Sequence, residues 1–258
     1  MAKPRFFVDR AVKYAVDITG SDARHIRDVL RLRAGEVIEV VDPEGVVSDV
    51  EIVNISDEKV TGKVIKSYRP EEGLPEVFLF QALPKGTKMD DIVRKSVEIG
   101  VTGIFPMLTE RVVVKVEPEK AARKVERWQK IATEAAKQSH RTLIPKVSPV
   151  LSFSDALVQL EGFDEVIVFW EEERAQFPYE VLDVSAKRVA LVIGPEGGLA
   201  DSEVLSLKEI GAKIVTLGES ILRVETAGPV AIALIVYDLR RLKRQSSKAP
   251  DSGKISYY

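Results

Sequence analysis

The 258-residue chain has no cysteine, which excludes disulfides, thiolate nucleophiles and cysteine-ligated metals. It has two histidines, His25 and His140, so a histidine-based metal site would need carboxylate help, and no metal is expected. A large charge of either sign is also missing. The formal net charge is −2, so bulk charge does not announce a nucleic-acid partner. No apolar run approaches the roughly 20 residues of a membrane span, and none near the N-terminus is long enough for a secretory signal. No membrane partner and a cytoplasmic location are therefore expected. Asparagine occurs only as Asn54, which together with 30% charged residues resembles thermophile usage.

What is present is the 45% hydrophobic content of an ordinary globular protein, enough for one large core or two modest ones. The cations are clustered. Arg24, His25, Arg27, Arg31 and Arg33 crowd one segment. Lys85 and Lys88 share a loop, followed by Arg94 and Lys95, and Lys137, His140, Arg141 and Lys146 form a third group. Local patches of this kind bind phosphates even in an acidic protein. The plain alternative is a solvated face balanced by nearby acids.

Residues 1–70 read as short strands with turn punctuation. Val37 to Val41, Val46 to Val53 and Lys59 to Lys66 are the strands, with a proline turn at Asp42 to Gly45. Asp22 to Leu32 reads as a short helix bearing the arginines. Close strand spacing suggests a small β-barrel. Tyr68 to Pro75 is linker-like, and the pattern then alternates strand and helix. Val77 to Leu83 is a strand. Thr87, with Asp90 three residues on, is a plausible cap for a helix ending at Gly100, whose apolar face is Met89, Ile92, Val93, Ser96 and Val97. After a strand at Gly103 to Thr109, Pro118 starts a long helix. Further strands lie at Asp164 to Trp170, Val189 to Ile193 and Ile214 to Leu217, with helices at about 201–210 and 226–242. This is an α/β pattern with a mostly parallel sheet. The expected division is 1–70, 71–244 and a polar tail at 245–258.

Two turns carry the chemistry. The first is Gly194-Pro195-Glu196-Gly197-Gly198 and the second runs from Leu217-Gly218 through Ile221-Leu222-Arg223 to Glu225-Thr226. Both follow buried strands, at the carboxyl ends where open α/β sheets bind ligands. Neither has the lysine and Ser/Thr of a phosphate loop, and the glycine spacing fails the dinucleotide fingerprint. An ordinary tight turn would also use glycines. The apolar pair Ile221-Leu222 beside Gly218, however, suits an aromatic ring read by backbone groups. The run from Pro229 to Tyr237 is apolar on nearly every face, so burial within the domain or against another subunit is expected.

These motifs in register resemble the SPOUT methyltransferases and, within them, the RsmE family of 16S ribosomal RNA uracil-N3 methyltransferases. Besides Ile193 to Leu199 and Leu217 to Ala227, the resemblance runs through Lys85 to Val101, Thr109 to Arg111, Arg127-Trp128, Glu134 to Pro145, and His25 to Gly35. It spans nearly the whole chain apart from the tail. Ala200 departs from the family's usual Ser or Thr cap, a role that Asp201 is expected to take. Glu98-Ile99-Gly100 replaces Glu-Leu-Gly.

The resemblance implies an N-terminal PUA-like β-barrel that holds RNA and a SPOUT deep trefoil-knot domain that binds S-adenosylmethionine. It implies a homodimer through the knot domain, acting on 16S rRNA of the small ribosomal subunit. Carried onto this sequence, the cofactor site comprises Phe169, Trp170, Ile193, Gly194, Pro195, Glu196, Gly197, Gly198, Leu217, Gly218, Ile221, Leu222, Arg223 and Thr226. Arg223 is the expected stabiliser of charge on the uracil, and Glu196 and Glu225 are the candidate proton acceptors. Arg223 paired with Glu225, and Glu196 as a helix cap, are the structural alternatives. RNA contacts fall to Arg24, His25, Arg27, Arg31, Arg33, Lys85, Lys88, Arg111, Gln138 and Arg141. The competing function is a non-catalytic RNA- or ribosome-binding protein on the same fold, which methyl-transfer assays separate from an enzyme.

Overall fold

A computed structural model describes residues 3–70, 75–113, 117–183 and 185–246. Residues 71–74 of the expected linker and 247–258 of the expected tail lie outside them. The chain divides into two compact units, one within Met1–Glu72 and Lys130–Pro145, the other within Gly73–Gln129 and Lys146–Tyr258.

The first unit is a half-barrel of five strands: β1 (Arg5–Phe7), β2 (Ala15–Thr19), β3 (Val37–Val41), β4 (Val47–Ile55) and β5 (Lys59–Tyr68), in the order β1-β3-β4-β5-β2. Only the β1–β3 pair is parallel. Alternating residues such as Val16, Ile18, Val50 and Ile52 face one core with Phe6, Ile26 and Ile38. The expected turn between β3 and β4 closes on Asp42, whose Oδ1 accepts the N–H groups of Glu44 (2.9 Å) and Val46 (3.0 Å).

The expected helix at Asp22 to Leu32 is not regular. A short α1 (Gly20–Arg24) passes into a π-helical turn at His25–Val29 and ends on Arg31, whose φ is +54°. The wide turn sends Ile26 fully into the core and lets Leu30 donate its N–H to the His25 carbonyl at 2.9 Å.

The second unit carries β6 (Glu76–Ala82), α2 (Lys88–Ile99), β7 (Gly103–Leu108), α3 (Pro118–Gln138), β8 (Lys146–Val147), β9 (Leu151–Ser152) and α4 (Phe153–Leu160). There follow β10 (Glu165–Phe169), α5 (Pro178–Val181), β11 (Arg188–Ile193), α6 (Asp201–Glu209), β12 (Lys213–Val215) and α7 (Val224–Ser246). Residues of α3 from Lys130 onward group with the first unit. The sheet order is β12-β10-β11-β6-β7-β8, with β9 also on β7, and every pairing is parallel. β10 is buried at all five positions and β11 at five of six, as strands covered on both faces require. A parallel α/β sheet preceded by a five-stranded half-barrel agrees with the α/β domain and N-terminal β-barrel that the resemblance implied.

Two local expectations need correction. Thr87 makes no side-chain cap. The start of α6 is satisfied not by Asp201 but by Glu203. The buried Glu203 carboxylate accepts the N–H of Ala200 at 2.9 Å and of Glu110 at 2.8 Å, because a carboxylate in the first helical turn can reach back to the free amides. Of the two expectations for the apolar run at Pro229 to Tyr237, burial within the domain or against another subunit, the chain by itself meets the first only in part. Leu234 (41% exposed) and Tyr237 (68% exposed) face outward, because a helix packed on β6 and β11 beside α2 buries its inner and lateral faces and leaves the outer one. By contrast, Met89, Ile92, Val93, Ser96 and Val97 are all buried, and α2 stops at Gly100, with φ +138°.

Candidate active site

The site forms where β10, β11 and β12 end. After β11 the chain doubles back so tightly that a Cβ on Gly194 would come within 3.0 Å of the Leu199 nitrogen and 3.1 Å of the Gly198 carbonyl carbon. Only glycine fits without moving backbone. Gly198, at φ +70°, closes the turn by donating its N–H to the Pro195 carbonyl at 3.0 Å. After β12, Thr216 Oγ1 accepts the N–H of Gly218 at 3.1 Å, and Gly218 sits at φ +109°. β12 is clamped beside β10 by Lys213, whose Nζ is 2.5 Å from Glu165 Oε1 and donates to the Val181 carbonyl at 2.6 Å. The two turns thereby face one cavity of about 570 Å³, within the range of small-molecule sites.

Of the residues expected to hold the cofactor, Phe169, Trp170, Ile193, Gly194, Pro195, Glu196, Gly197, Gly198, Leu217, Gly218, Ile221, Leu222 and Arg223 all line this cavity. Thr226 does not. Its N–H donates to the Arg223 carbonyl at 2.8 Å, closing the first turn of α7, and helical rotation presents Ala227 to the cavity instead. Sequence reasoning missed Glu171, Arg174, Thr216 and Ser220. Glu171 and Thr216 adjoin residues already singled out at the same strand ends, so extending each motif by one residue would have found them.

Lys88, expected on RNA, lies in the cavity wall between two acids. Its Nζ is 2.9 Å from Glu196 Oε1 and 3.5 Å from Glu225 Oε2. Glu196 also accepts the Lys85 N–H at 3.0 Å. Partial burial pushes the Glu196 carboxyl upward, but Lys88 and the backbone amides of Glu196 and Lys85 outweigh it and hold it below the usual carboxylate range. The hydrogen bond to Glu196 correspondingly raises Lys88. Both groups are charged near neutrality.

Because Glu196 is depressed in the folded state, the stability it adds is present above the ordinary carboxylate pKa and is lost as pH falls through its lowered value. Glu196→Gln should therefore destabilise the fold slightly at about pH 6, by no more than about 1 kcal/mol, and the deficit should shrink as the pH falls below the ordinary carboxylate range. Thermal melts of both proteins across that range test this.

Arg223 is exposed at the head of α7, and its guanidinium makes no ion pair or hydrogen bond among the described residues. The alternative pairing with Glu225 is not formed, since Glu225 faces Lys88. Arg111 reaches across the first turn and donates Nη1 to the Gly197 carbonyl at 3.1 Å. The Glu171 carboxylate rests against Gly198, where a Cβ would come within 1.5 Å of its Oε1, and it has no ion-pair partner among the described residues. The buried indole N–H of Trp170 also has no acceptor.

The remaining basic positions lie in the first unit. Arg27 is engaged by Asp28 (2.7 Å) and Asp57 (3.4 Å), while Arg24, Arg31 and Arg33 form no side-chain ion pair among the described residues. Gln138 and Arg141 belong to the segment that groups with that unit. Among the described residues, no group of three or more His, Asp or Glu side chains is arranged to hold a metal, and no helix is long and apolar enough to cross a membrane.

Comparison with known proteins agrees with this geometry. Residues 70–236 match the model of an RNA methyltransferase domain, and residues 18–65 match that of an RNA methyltransferase PUA domain. The chain is 36% identical over 233 residues to ribosomal RNA small subunit methyltransferase E of Bacillus subtilis, covering 88% of this chain and 91% of that protein. It is 32% identical over 232 residues to the Synechocystis protein of the same name, covering 88% and 74%. The crystal structure of ribosomal RNA small subunit methyltransferase E from Neisseria gonorrhoeae, bound to S-adenosyl methionine, superposes with a TM-score of 0.80 at 29% identity, over 91% of this chain and 97% of that one. With its double-turn cavity, its parallel sheet and its PUA-type half-barrel, the chain belongs to the RsmE family of SPOUT RNA methyltransferases.

Proposed function

We propose that this protein transfers the methyl group of S-adenosylmethionine to N3 of a uridine in the 16S rRNA of the small ribosomal subunit. The observation that carries the reading is the cavity itself: two glycine turns at strand ends, with an unpaired arginine at the mouth. Its residues fit the cofactor. No phosphate loop is present, and S-adenosylmethionine carries no phosphate. The unpaired Glu171 carboxylate suits a cationic ligand, and the unsatisfied Trp170 N–H suits one with an acceptor. Leu217, Gly218, Ile221 and Leu222 would hold the adenine, while Gly194, Gly197 and Gly198 allow close approach of the ribose and methionine portions.

Bound there, S-adenosylmethionine supplies an electrophilic methyl group. The chain's own residues have to orient the uracil and manage one proton, because N3 attacks as its anion. Arg223 stabilises negative charge spread over the uracil oxygens. Of the two candidate acceptors, Glu225 is the less committed. Glu196 is held by Lys88 and two amides, and its depressed pKa makes it a weaker base. Isothermal titration with S-adenosylmethionine tests the site: saturable binding of one molecule per chain is expected, and no heat of binding would contradict it.

The exposed Leu234 and Tyr237 on α7 support a homodimer through this domain. Leu234→Glu should convert it to monomers in size-exclusion chromatography with light scattering. A cytoplasmic location follows from the ribosomal substrate.

A further inference from the structure

The first unit contains a cavity of its own, of about 430 Å³, between β1, the α1–π turn and the end of α3. Both histidines of the chain line it, although His25 and His140 are 115 residues apart in sequence (140 − 25). Pro4, Phe6 and Leu30 contribute apolar lining, and Gln138 lines it as well.

Irregular backbone converges on this cavity. The π turn opens at His25. Arg31 and His140, both at φ +54°, are the only non-glycine residues with positive φ among those described, and Arg31 directly follows the lining Leu30. Such conformations persist where the surroundings over-determine them, and they cluster at binding sites. At His140 the determinants are visible. The buried Arg5 donates to the carbonyls of His140 and Arg141 and forks onto Glu39 through Nε (2.9 Å) and Nη2 (2.8 Å). Glu39 also lies 3.3 Å from His140 Nδ1.

The charge balance says what such a cavity recognises. Each lysine or arginine lining it already has a carboxylate: Lys3 with Asp49, Arg5 with Glu39, and Lys137 with Asp22 at 2.8 Å and Glu134 at 3.3 Å. A phosphate would have to displace an acid, whereas a neutral planar group would not. The spare chemistry is a ring and an amide. The side chains of His25 and Gln138 are exposed and make no hydrogen bond among the described residues, and the His25 ring is steadied edge-on by Phe6 at 6.3 Å between centroids. An imidazole face stacks on a base, and a carboxamide offers both donor and acceptor to a base edge.

We infer that this cavity holds a single unpaired nucleotide of the RNA substrate, its base stacked on His25 and its edge read by Gln138. The inference rests on the reading that RNA is the substrate. It adds a recognition pocket in the first unit, separate from the one where methyl transfer takes place.

Labelling histidine with ¹³C at Cε1 gives two side-chain signals, one per cavity histidine. Single-stranded RNAs of about eight nucleotides, one for each base, are titrated against the full chain at low salt, alongside a duplex of the same length. At least one single strand should shift both signals to saturation with a common Kd, and the duplex should not. His25→Ala with Gln138→Ala should weaken that binding about tenfold or more, whereas His25→Tyr, which keeps a stacking ring, should bind within about threefold of the native chain. Failure of every single strand to move the signals, equal shifts with duplex, or native-like binding by the double variant would overturn the inference. S-adenosylmethionine titrations on the same preparations keep the two readings apart: loss of cofactor binding in the native chain counts against the enzyme, not against this cavity.

Discussion

Arg223→Ala should lower turnover by about 10²- to 10³-fold while leaving S-adenosylmethionine affinity within about threefold. The magnitude is that of removing one preorganised donor from developing negative charge. Two structural facts isolate the effect. The guanidinium is exposed and makes no bond that folding depends on, so truncation should not disturb the turn. The Arg223 carbonyl, which accepts the N–H groups of Thr226 at 2.8 Å and Ala227 at 2.9 Å, survives the substitution. Single-turnover kinetics with cofactor titration read the two quantities separately. An equal loss in both would place Arg223 in the cofactor site rather than on the uracil.

Gly218→Ala should weaken cofactor binding at least tenfold, beyond any general loss of stability. A side chain at φ +109° costs about 1–3 kcal/mol wherever it stands. Here the added Cβ meets no protein atom within 4 Å, on a residue that lines the cavity, so the strain falls on the turn that shapes the site rather than on its packing. Gly211→Ala is the control. Gly211 has φ +85° and equally open surroundings but lies at the end of α6, away from the cavity. Both variants should lose similar Tm, and only Gly218→Ala should lose affinity. Equal affinities would mean that the second turn does not contact the cofactor.

The strand ends and their glycines were legible in the sequence because both signals are local. A buried strand is a short apolar run, and a chain that doubles back at Gly194 must lack a Cβ there. Coupling across long separations was not legible. Lys88 and Glu196 are 108 positions apart, and nothing in either neighbourhood announces that they pair. The same holds for residues 130–145, which begin as the last turns of α3 and run past its end at Gln138 but group with the half-barrel in space. The π turn at His25 was hidden because helical periodicity cannot register one extra residue per turn. The apolar run of α7 was legible, but not what meets its outer face, because apolar patterning marks which positions avoid water and not which element or chain covers them.

Methyl transfer to N3 of one uridine of the small subunit can be read on the substrate itself. Small subunits from cells lacking this gene, incubated with the purified protein and methyl-labelled S-adenosylmethionine, provide the most direct measurement. Nucleoside mass spectrometry of their 16S rRNA should show label only as N3-methyluridine, in stoichiometric yield, and none with Arg223→Ala over the same time. Label on another base or position, or subunits from those cells that already carry the N3-methylated uridine, would contradict the account.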